Sequence, residues 1–288
     1  MKQPVRGGIE LLGEILGAEC PAPALWWLGH CGFVLKWRSA IVYIDPYLSN
    51  SQELRYRKSD RPHGRLVAAP LNPAHITHAD LVLATHAHHA HLDPGTVPVI
   101  LEASKSARLV LPGSAAGRAH MMGIDYLRMI TVDAGQRLDY VARDGEVVRV
   151  EAVPSAHEQL DWTEERGYPY LGYVVRMGDY AIYHAGDCAP YDGLAARLRP
   201  HEIDVAMLPI NGRDPDRGMP GNFTIHEAAQ LAEDAGIKCV VPMHYGMFSV
   251  NDVNIGAFVA HMLGHRPAVR FKVFEVGEGW MLPEKGPE

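Results

Sequence analysis

The chain has 288 residues, of which 47% are hydrophobic and 21% are charged, and its formal net charge is −7. These proportions are ordinary for a soluble globular protein, and the length suffices for one sizeable domain or two small ones. The negative charge argues against a nucleic-acid partner, which usually selects a basic face. Because no run of about 18 apolar residues occurs, the sequence predicts no membrane-spanning helix and no membrane partner.

The N-terminal segment 1–24 is predicted to be a leader, and residues 25–288 a single domain. Glu10, Glu14 and Glu19 interrupt the leader, a pattern wrong for a signal peptide, so a cytoplasmic location is expected. The cysteines show no CxxC spacing, which excludes a zinc ribbon and a thioredoxin-type motif. In a reducing compartment they are expected to be core residues. They are Cys20, Cys31, Cys188 and Cys239.

The hydrophobic pattern of the first half predicts strands with a few helices outside them. Predicted helices cover 9–17 and 94–104, and predicted strands cover 25–37, 40–44, 81–85, 108–112, 129–132 and 146–153. Asp93 is the predicted N-cap of the second helix, with Pro94 at its first position. The polar stretch 49–65 lacks periodicity and is predicted to be a mobile excursion that acts as a lid.

The second half repeats this scheme. A hairpin is predicted around Gly178-Asp179, and helix 224–235 is predicted to end at Gly236. The other predicted elements are strands 205–209, 239–243 and 269–276 and helix 254–264, and the hairpin strands are 170–176 and 180–184. Because no low-complexity linker separates the halves, we expect one domain.

A cluster of four histidines follows the apolar run 81–84. His86 and His88 are two residues apart, so in extended backbone both side chains point the same way and can bind one ion. His91 follows where the chain turns away and could reach a second ion. Imidazole is a common metal ligand, and α/β proteins build sites at the carboxyl ends of strands, so the cluster predicts a metal site.

Four later strands also end at a polar residue of a kind found in binding sites. Taken singly, each residue has a simpler interpretation, such as a buried core histidine or a turn aspartate. Their shared position, after an apolar strand and before a turn, favours a common site. The residues are His157, Asp187, Asn211 and His244.

In this order, His86-x-His88-x-x-His91, His157, Asp187 and His244 resemble the metallo-β-lactamase superfamily of hydrolases. A finer resemblance, to the L-ascorbate-6-phosphate lactonase-like branch, rests on further short matches. They lie at 29–33, 44–46, 153–158, 170–173, 183–187, 208–214, 221–222, 227–228 and 242–248. The resemblance spans about residues 25–250.

The resemblance implies an α+β fold, a four-layer αββα sandwich, with one or two divalent ions (zinc or manganese) between the sheet edges. The implied ligands are His86, His88 and His157 for the first metal, His91 and His244 for the second, and Asp187 as the bridge. Asp187 and His244 are thereby the catalytic candidates, together with position 90. Paired cations lower the pKa of a bound water to supply hydroxide, and polarise a carbonyl or phosphoryl oxygen.

Position 90 departs from the superfamily pattern, which has Asp immediately before the third histidine. That Asp normally binds the second metal and orients the attacking water, and Ala90 can do neither. Losses of this kind typically cost ~10–100-fold in metal affinity or activity. Three explanations stay open: an introduced inactivating substitution, a natural single-metal variant, or replacement of the carboxylate by His89 or Asp93.

Four residues near the implied metals are candidate substrate contacts: Asn211, Arg213, Asn222 and Tyr245. An arginine there suits a phosphate or carboxylate, although it could instead pair with Asp214 or Asp216. Asp45, at the end of a strand, is predicted either to hydrogen-bond a ligand histidine or to be a simple turn residue. His184 matches no ligand position and is predicted to be a packing residue.

The sequence therefore predicts a metal-dependent hydrolase that acts on a lactone or similar cyclic ester of a small anionic molecule. A phosphodiesterase is the alternative among enzymes, because the same metal pair supports that reaction. The alternative outside enzymes is a metal-dependent ligand-binding protein that lost catalysis through Ala90. The predicted partner is a small anionic molecule, and a homo-oligomer is an open alternative by analogy only.

Overall fold

The computed structural model describes residues 1–214, 221–266 and 268–285. Across these residues it contains two seven-stranded sheets. The first sheet has the order β14-β1-β2-β3-β4-β5-β6, with β1 (Ala24–Gly29), β2 (Gly32–Trp37), β3 (Ala40–Ile44), β4 (Leu81–Leu83), β5 (Arg108–Pro112), β6 (Met129–Val132) and β14 (Gly279–Met281). The second has the order β13-β12-β11-β10-β9-β8-β7, with β7 (Arg137–Val141), β8 (Val147–Pro154), β9 (Leu171–Met177), β10 (Tyr180–His184), β11 (Val205–Pro209), β12 (Cys239–Met243) and β13 (Arg270–Phe271).

Each sheet is antiparallel on one side and parallel on the other. In the first sheet the parallel pairs run from β3 to β6. In the second they run from β10 to β13. Parallel strands bring their carboxyl ends to one edge of a sheet, where α/β proteins bind ligands. The loops after β4, β10, β11 and β12 therefore reach a common region.

The helices are α1 (Gly8–Gly17), α2 (Ser51–Tyr56), α3 (Val97–Ala103), α4 (Ala116–Met121), α5 (Leu194–Leu198), α6 (Ile225–Ala235) and α7 (Ile255–His265). Helix α6 begins with a capping box between Thr224 and Glu227 and ends at Gly236 in the left-handed conformation. None of the helices among the described residues is long and apolar enough to cross a membrane.

Two hydrophobic clusters form the core. The larger lies between the sheets and includes Leu25, Phe33 and Val42 from the first sheet and Val150, Tyr173 and Ile182 from the second. A smaller cluster packs α1 and α3 against the outer face of the first sheet. The four layers are thus helices, sheet, sheet and helices, which confirms the predicted αββα sandwich.

Helix α1 is tied to the first sheet by a buried lysine. Lys36 Nζ donates to the carbonyl oxygens of Ile15 and Leu16, both at 2.8 Å. These are last-turn carbonyls with no partner inside the helix, so a cation there satisfies them and complements the helix dipole. The predicted leader segment therefore packs on the domain.

Several predicted elements agree closely with the structure, among them strands 108–112, 129–132, 205–209 and 239–243. The predicted strand 25–37 is wrong, because a turn at His30 and Cys31 divides it into β1 and β2. Strand 269–276 is also shorter than predicted, since only Arg270–Phe271 pairs with β12. Helix 94–104 begins at Val97, because residues 94–96 form a turn that precedes it.

Burial of His78 predicts a pH-dependent stability. Burial lowers the pKa of His78 to about 4, and its Nε2 lies 2.8 Å from the Tyr43 hydroxyl. Because this pKa lies below the ordinary 6.5, the unfolded chain takes up the proton first as the pH falls. Stability contributed by neutral His78 is fully present above pH 6.5 and is lost towards pH 4. We expect His78→Gln to reduce the dependence of the free energy of unfolding on pH between pH 4 and 6.5, as measured by urea unfolding. An unchanged pH dependence would contradict the assignment to His78.

Candidate metal centre

Five loops bring ligand-type side chains to one edge of the two sheets. The loop after β4 carries His86, His88 and His91. The loops after β8, β10 and β12 carry the remaining candidates, which are His157, Asp187 and His244. The turn between β1 and β2 adds His30 and Cys31, which the sequence analysis did not propose for the site.

One group of donors surrounds a single point. Ligand atoms of His86, His88, His157 and Asp187 all lie within 4.8 Å of one another. His88 Nδ1 is 3.0 Å from His86 Nε2 and 3.2 Å from His157 Nε2. Asp187 Oδ2 is 3.6 Å from His157 Nε2 and 4.0 Å from His86 Nε2. These are the three histidines and the aspartate predicted for the first metal.

Asp187 also faces the two histidines predicted for the second metal. Its Oδ2 is 3.3 Å from His91 Nε2, and its Oδ1 is 3.6 Å from His244 Nε2. The carboxylate thus lies between the two histidine groups, as a bridging ligand would. Burial acts to raise the pKa of Asp187, but His91 and His244 hold that pKa well below its usual value.

His91 is oriented from behind by Asp45. His91 Nδ1 donates to Asp45 Oδ2 at 2.6 Å, which leaves Nε2 directed towards Asp187. Thr85 holds the same carboxylate, through its backbone N–H at 2.8 Å and its hydroxyl at 2.6 Å. A carboxylate that fixes the ring and tautomer of a ligand histidine is a common feature of metal sites. The predicted contact between Asp45 and a candidate ligand histidine is confirmed.

Most of the clustered histidines are neutral near pH 7 and so can offer a lone pair. Burial lowers the pKa of His86, His157 and His244, and lowers that of His88 to about 4. His91 differs: burial lowers its pKa, but Asp187 and Asp45 outweigh burial and raise it to about 10. A cation at its Nε2 has to displace that proton, so metal binding should weaken as the pH falls.

The donor set fits small divalent cations. Two nitrogen or oxygen ligands at roughly 2.0–2.1 Å from a tetrahedral zinc ion stand about 3.4 Å apart. The distances given above between candidate ligand atoms range from 3.0 to 4.0 Å. Among the described residues, Nδ1 of His157 and Nδ1 of His244 are buried without a hydrogen-bond partner. Imidazole and carboxylate together also suit manganese or iron, so the donor types alone select no single metal.

Unusual backbone conformations help to form the site. His30, Asp45 and His244 have φ values of 53°, 44° and 67°, in the left-handed region that costs energy for residues other than glycine. Gly186, before Asp187, has φ 63°, and a Cβ there would lie 2.8 Å from Thr85 Cβ. Such strain concentrates at functional sites, where surrounding contacts maintain it.

Residue 90 lies at the cavity and presents only a methyl group. Ala90 is 6% exposed and lines a cavity of about 600 Å³ together with His91, His244 and Asp187. Neither His89 nor Asp93 is placed to replace the carboxylate that is missing at residue 90. The Asp93 carboxylate accepts from Ser49, Ser51, Thr96 and the Gly95 N–H, so it is engaged beneath the loop.

The ring of His89 is held by two arginines. Arg118 Nη2 is 2.8 Å from both ring nitrogens, and Arg55 contacts the same ring. Burial and these arginines lower the pKa of His89 to about 4. Among the described residues, His89 belongs to none of the groups whose donor atoms converge. Replacement of the missing carboxylate by His89 or Asp93 is therefore not what the structure shows.

The four predicted substrate contacts divide into two pairs. Asn211 and Asn222 line the cavity and hydrogen-bond each other at 3.0 Å. Arg213 is outside the lining and pairs with Glu227. The alternative partner Asp216 lies outside the described residues.

Tyr245, the last of the four, is also outside the lining. Its hydroxyl donates to the Phe274 carbonyl at 2.6 Å, and its ring packs on Trp27 with centroids 4.6 Å apart. The structure thus brings Asn211 and Asn222 to the cavity, but not Arg213 or Tyr245.

The polar stretch 49–65 forms a wall of the cavity. It contains α2 and contributes Gln52, Arg55, Tyr56, Ser59, Asp60, Arg61 and His63 to the lining. Buried Arg65 anchors its end by donating to the carbonyls of Tyr47 and Ser49 at 3.1 and 3.2 Å. The predicted irregular excursion therefore includes a helix, while its movement as a lid stays a prediction. The position of Arg55 and Arg61 at the cavity was not anticipated in the sequence analysis.

His184 connects two loops of the candidate site. Its Nε2 donates to the Cys31 carbonyl at 2.8 Å, and its Nδ1 accepts from the Gly186 N–H at 3.1 Å. It therefore links the β1–β2 turn to the loop that carries Asp187. The predicted packing role is incomplete, since this fully buried side chain also fixes two loops of the site.

Comparisons with known proteins agree with this geometry. Residues 41–245 match the family model described as the beta-lactamase superfamily domain. A UPF0173 metal-dependent hydrolase of Pyrococcus horikoshii is 30% identical over 222 residues, covering 76% of this chain and 82% of the relative. Another, of Methanoculleus marisnigri, is 29% identical over 277 residues, covering 92% and 99%.

Solved structures show the same fold. A metallo hydrolase of Ignicoccus hospitalis has a TM-score of 0.66 at 21% identity, covering 91% of this chain and 99% of its own. An isothiocyanate hydrolase from Delia radicum gut bacteria has a TM-score of 0.68 at 15% identity, covering 91% and 100%. The predicted superfamily is confirmed, while the lactonase-like branch stays a prediction. The chain belongs to the beta-lactamase superfamily and, within it, to the UPF0173 metal-dependent hydrolases.

Proposed function

We propose that this chain is a metal-dependent hydrolase that opens a lactone or similar cyclic ester of a small anionic molecule. The observation that supports hydrolysis is a convergence of metal-ligand side chains at one cavity of about 600 Å³. They are His86, His88, His157 and Asp187, with His91 and His244 beside Asp187. Zinc and manganese are the ions proposed for it.

The protein's own residues hold and orient the ligands. Asp187 can serve both cations through its two oxygens, and Asp45 maintains the ring orientation of His91. When bound, a pair of divalent cations supplies an acidified water and polarises the oxygen of the scissile group. The cavity is large enough for a small metabolite.

Two arginines of the polar stretch 49–65 support an anionic substrate. Arg55 and Arg61 line the same cavity as the histidine cluster. Guanidinium groups bind phosphate or carboxylate through paired, charge-assisted hydrogen bonds. These residues take the role proposed from the sequence for Arg213. A lactone, in particular, is supported by the resemblance of 29–33 and 242–248 to the lactonase-like branch.

A substrate panel tests the reaction class. Metal-loaded protein is assayed with carboxylated and phosphorylated lactones, neutral lactones and bis(p-nitrophenyl) phosphate, both with Ala90 and as Ala90→Asp. We expect the anionic lactones to be hydrolysed fastest. Faster cleavage of the phosphodiester would favour a phosphodiesterase. Ligand binding without turnover in both proteins would favour a binding protein.

Arg55→Gln tests the recognition of the anion. We expect KM for an anionic lactone to rise by about tenfold or more, the loss typical of one charge-assisted hydrogen bond, with a smaller effect on a neutral lactone. Arg118→Gln is the matched control, because Arg118 also contacts His89 but does not line the cavity. Equal losses in both variants, or equal losses on both lactones, would count against direct contact.

A further inference from the structure

A further candidate donor, Cys31, lies beside the second group: it converges with Asp187 and His244, and separately with His30 and His91. His91, Asp187 and His244 lack the carboxylate expected at residue 90, where the chain has Ala90. We propose that the thiolate of Cys31 completes the second cation site in place of that carboxylate. The inference rests on the metal dependence of the proposed function and assigns a new ligand to the same centre.

The position of the sulfur carries the proposal. Cys31 Sγ lies 3.8 Å from Asp187 Oδ1 and within 4.8 Å of ligand atoms of Asp187 and His244. It also lies within 4.8 Å of ligand atoms of His30 and His91. A sulfur about 2.3 Å and an oxygen about 2.0 Å from a tetrahedral zinc ion stand roughly 3.5 Å apart. Cys31 thus lies at a ligand's distance from the donors it would join.

His30 gives an independent indication that the region around Cys31 and His244 binds a ligand. It is 2% exposed, and its buried Nδ1 has no hydrogen-bond partner among the described residues. Its ring centroid is 4.0 Å from that of His244 and 5.4 Å from that of His91. Buried nitrogen without a partner is costly, and a bound cation with its water offers one.

The turn that carries Cys31 is rigidly held. The His30 carbonyl accepts from the His244 N–H and from Trp27 Nε1, both at 3.1 Å. The Cys31 carbonyl accepts from His184 Nε2 at 2.8 Å. These contacts connect the turn to the loops of Asp187 and His244, so the sulfur is held in place before any ion binds.

A bound divalent ion would favour a thiolate at this position, whereas without the ion burial and Asp187 raise the pKa of the Cys31 thiol well above its ordinary value. Without the carboxylate at residue 90, Asp187 is the remaining anion among the second group, which would face a doubly charged ion. A thiol that coordinates such an ion loses its proton to solvent, and the thiolate restores the missing negative charge. Thiolate is a strong ligand for zinc and suits a softer ion than manganese.

Cobalt(II) titration of the full chain tests the proposal. We expect a near-ultraviolet thiolate-to-cobalt charge-transfer band to grow with the second equivalent of metal. Cys31→Ser should remove this band and weaken the second equivalent by ~10–100-fold. Cys239→Ser is the control, because Cys239 is a buried thiol on β12 that is absent from the convergent groups.

A second measurement needs no variant. Zinc should protect Cys31 from alkylation in the unsubstituted chain, as read by mass spectrometry after brief partial unfolding. If cobalt d–d bands appear without the thiolate band, and zinc gives no protection, the ligand assignment is overturned while the metal-dependent function stands. If cobalt does not bind at all, both are overturned.

Discussion

Asp187→Asn is expected to lower the activity of the metal-loaded protein by at least ~100-fold, more than the loss of a residue that only supports a ligand. The reason is that Asp187 is shared: its oxygens lie within 4.0 Å of His86, His91, His157 and His244. An amide keeps the shape but removes the charge and one acceptor. Both cations should therefore bind more weakly, which metal analysis after gel filtration would measure.

A matched control for Asp187→Asn is Asp204→Asn. Asp204 is also a buried carboxylate, 8% exposed against 6% for Asp187, but it pairs with Lys238 and Lys285 away from the cavity. Its substitution should lower stability and leave the metal content unchanged. A normal metal content in Asp187→Asn, or metal loss in both variants, would show that Asp187 is not the shared ligand.

The candidate metal ligands could be predicted from the sequence because most of them follow a strongly apolar strand. Strands β10 and β12 are buried at every position, so their ends were recognisable as the places where polar residues begin. A parallel sheet then brings such ends together. The convergence of Asp187 and His244 follows from these parallel strands. His157 joins them because β8 and β10 both pair antiparallel with β9 and so run in the same direction. The resemblance to a known fold implied this strand order.

The β1–β2 hairpin could not be predicted in the same way. Residues 25–37 are almost continuously apolar, so the hydrophobic pattern shows no break between the two strands. The turn requires His30 in a left-handed conformation, which is uncommon for residues other than glycine and cannot be predicted from a histidine. Two edge strands, β7 and β14, were missed for another reason. Strand β7 alternates exposed and half-buried residues at the edge of its sheet, so its hydrophobic signal is weak. As a result, the proximity of Cys31 to the site was visible only in three dimensions.

The substrate contacts depended on tertiary pairings that local sequence does not encode. Arg213 was placed near the metals by its position after β11, yet Glu227, in the first turn of α6, holds its guanidinium. Arg55 and Arg61 lie in a polar segment without a periodic pattern, and its path along the cavity is set by contacts such as that of Arg65 with Tyr47. A charged loop is a weak signal until its path is known.

Ala90→Asp is expected to raise the hydrolytic rate by about 10–100-fold, the reverse of the loss attributed to the missing carboxylate. Ala90 lines the cavity directly before His91, so a carboxylate there can orient water without displacing a core side chain. With Cys31 as a ligand, Ala90→Asp should change the metal content little as long as Cys31 is present. In Cys31→Ala, by contrast, Ala90→Asp should restore the second equivalent.

The control for Ala90→Asp is Ala87→Asp, which adds the same charge to the same loop at a residue outside the cavity lining. Steady-state kinetics on an anionic lactone, with metal content measured in parallel, separates the outcomes. An equal gain in both variants would point to a general effect of charge. Because a carboxylate at residue 90 should act on kcat through water orientation, a change confined to KM would contradict that role. Turnover that stays absent while ligand binding persists would leave the protein a metal-dependent binder, since the missing carboxylate would then not be what prevents catalysis.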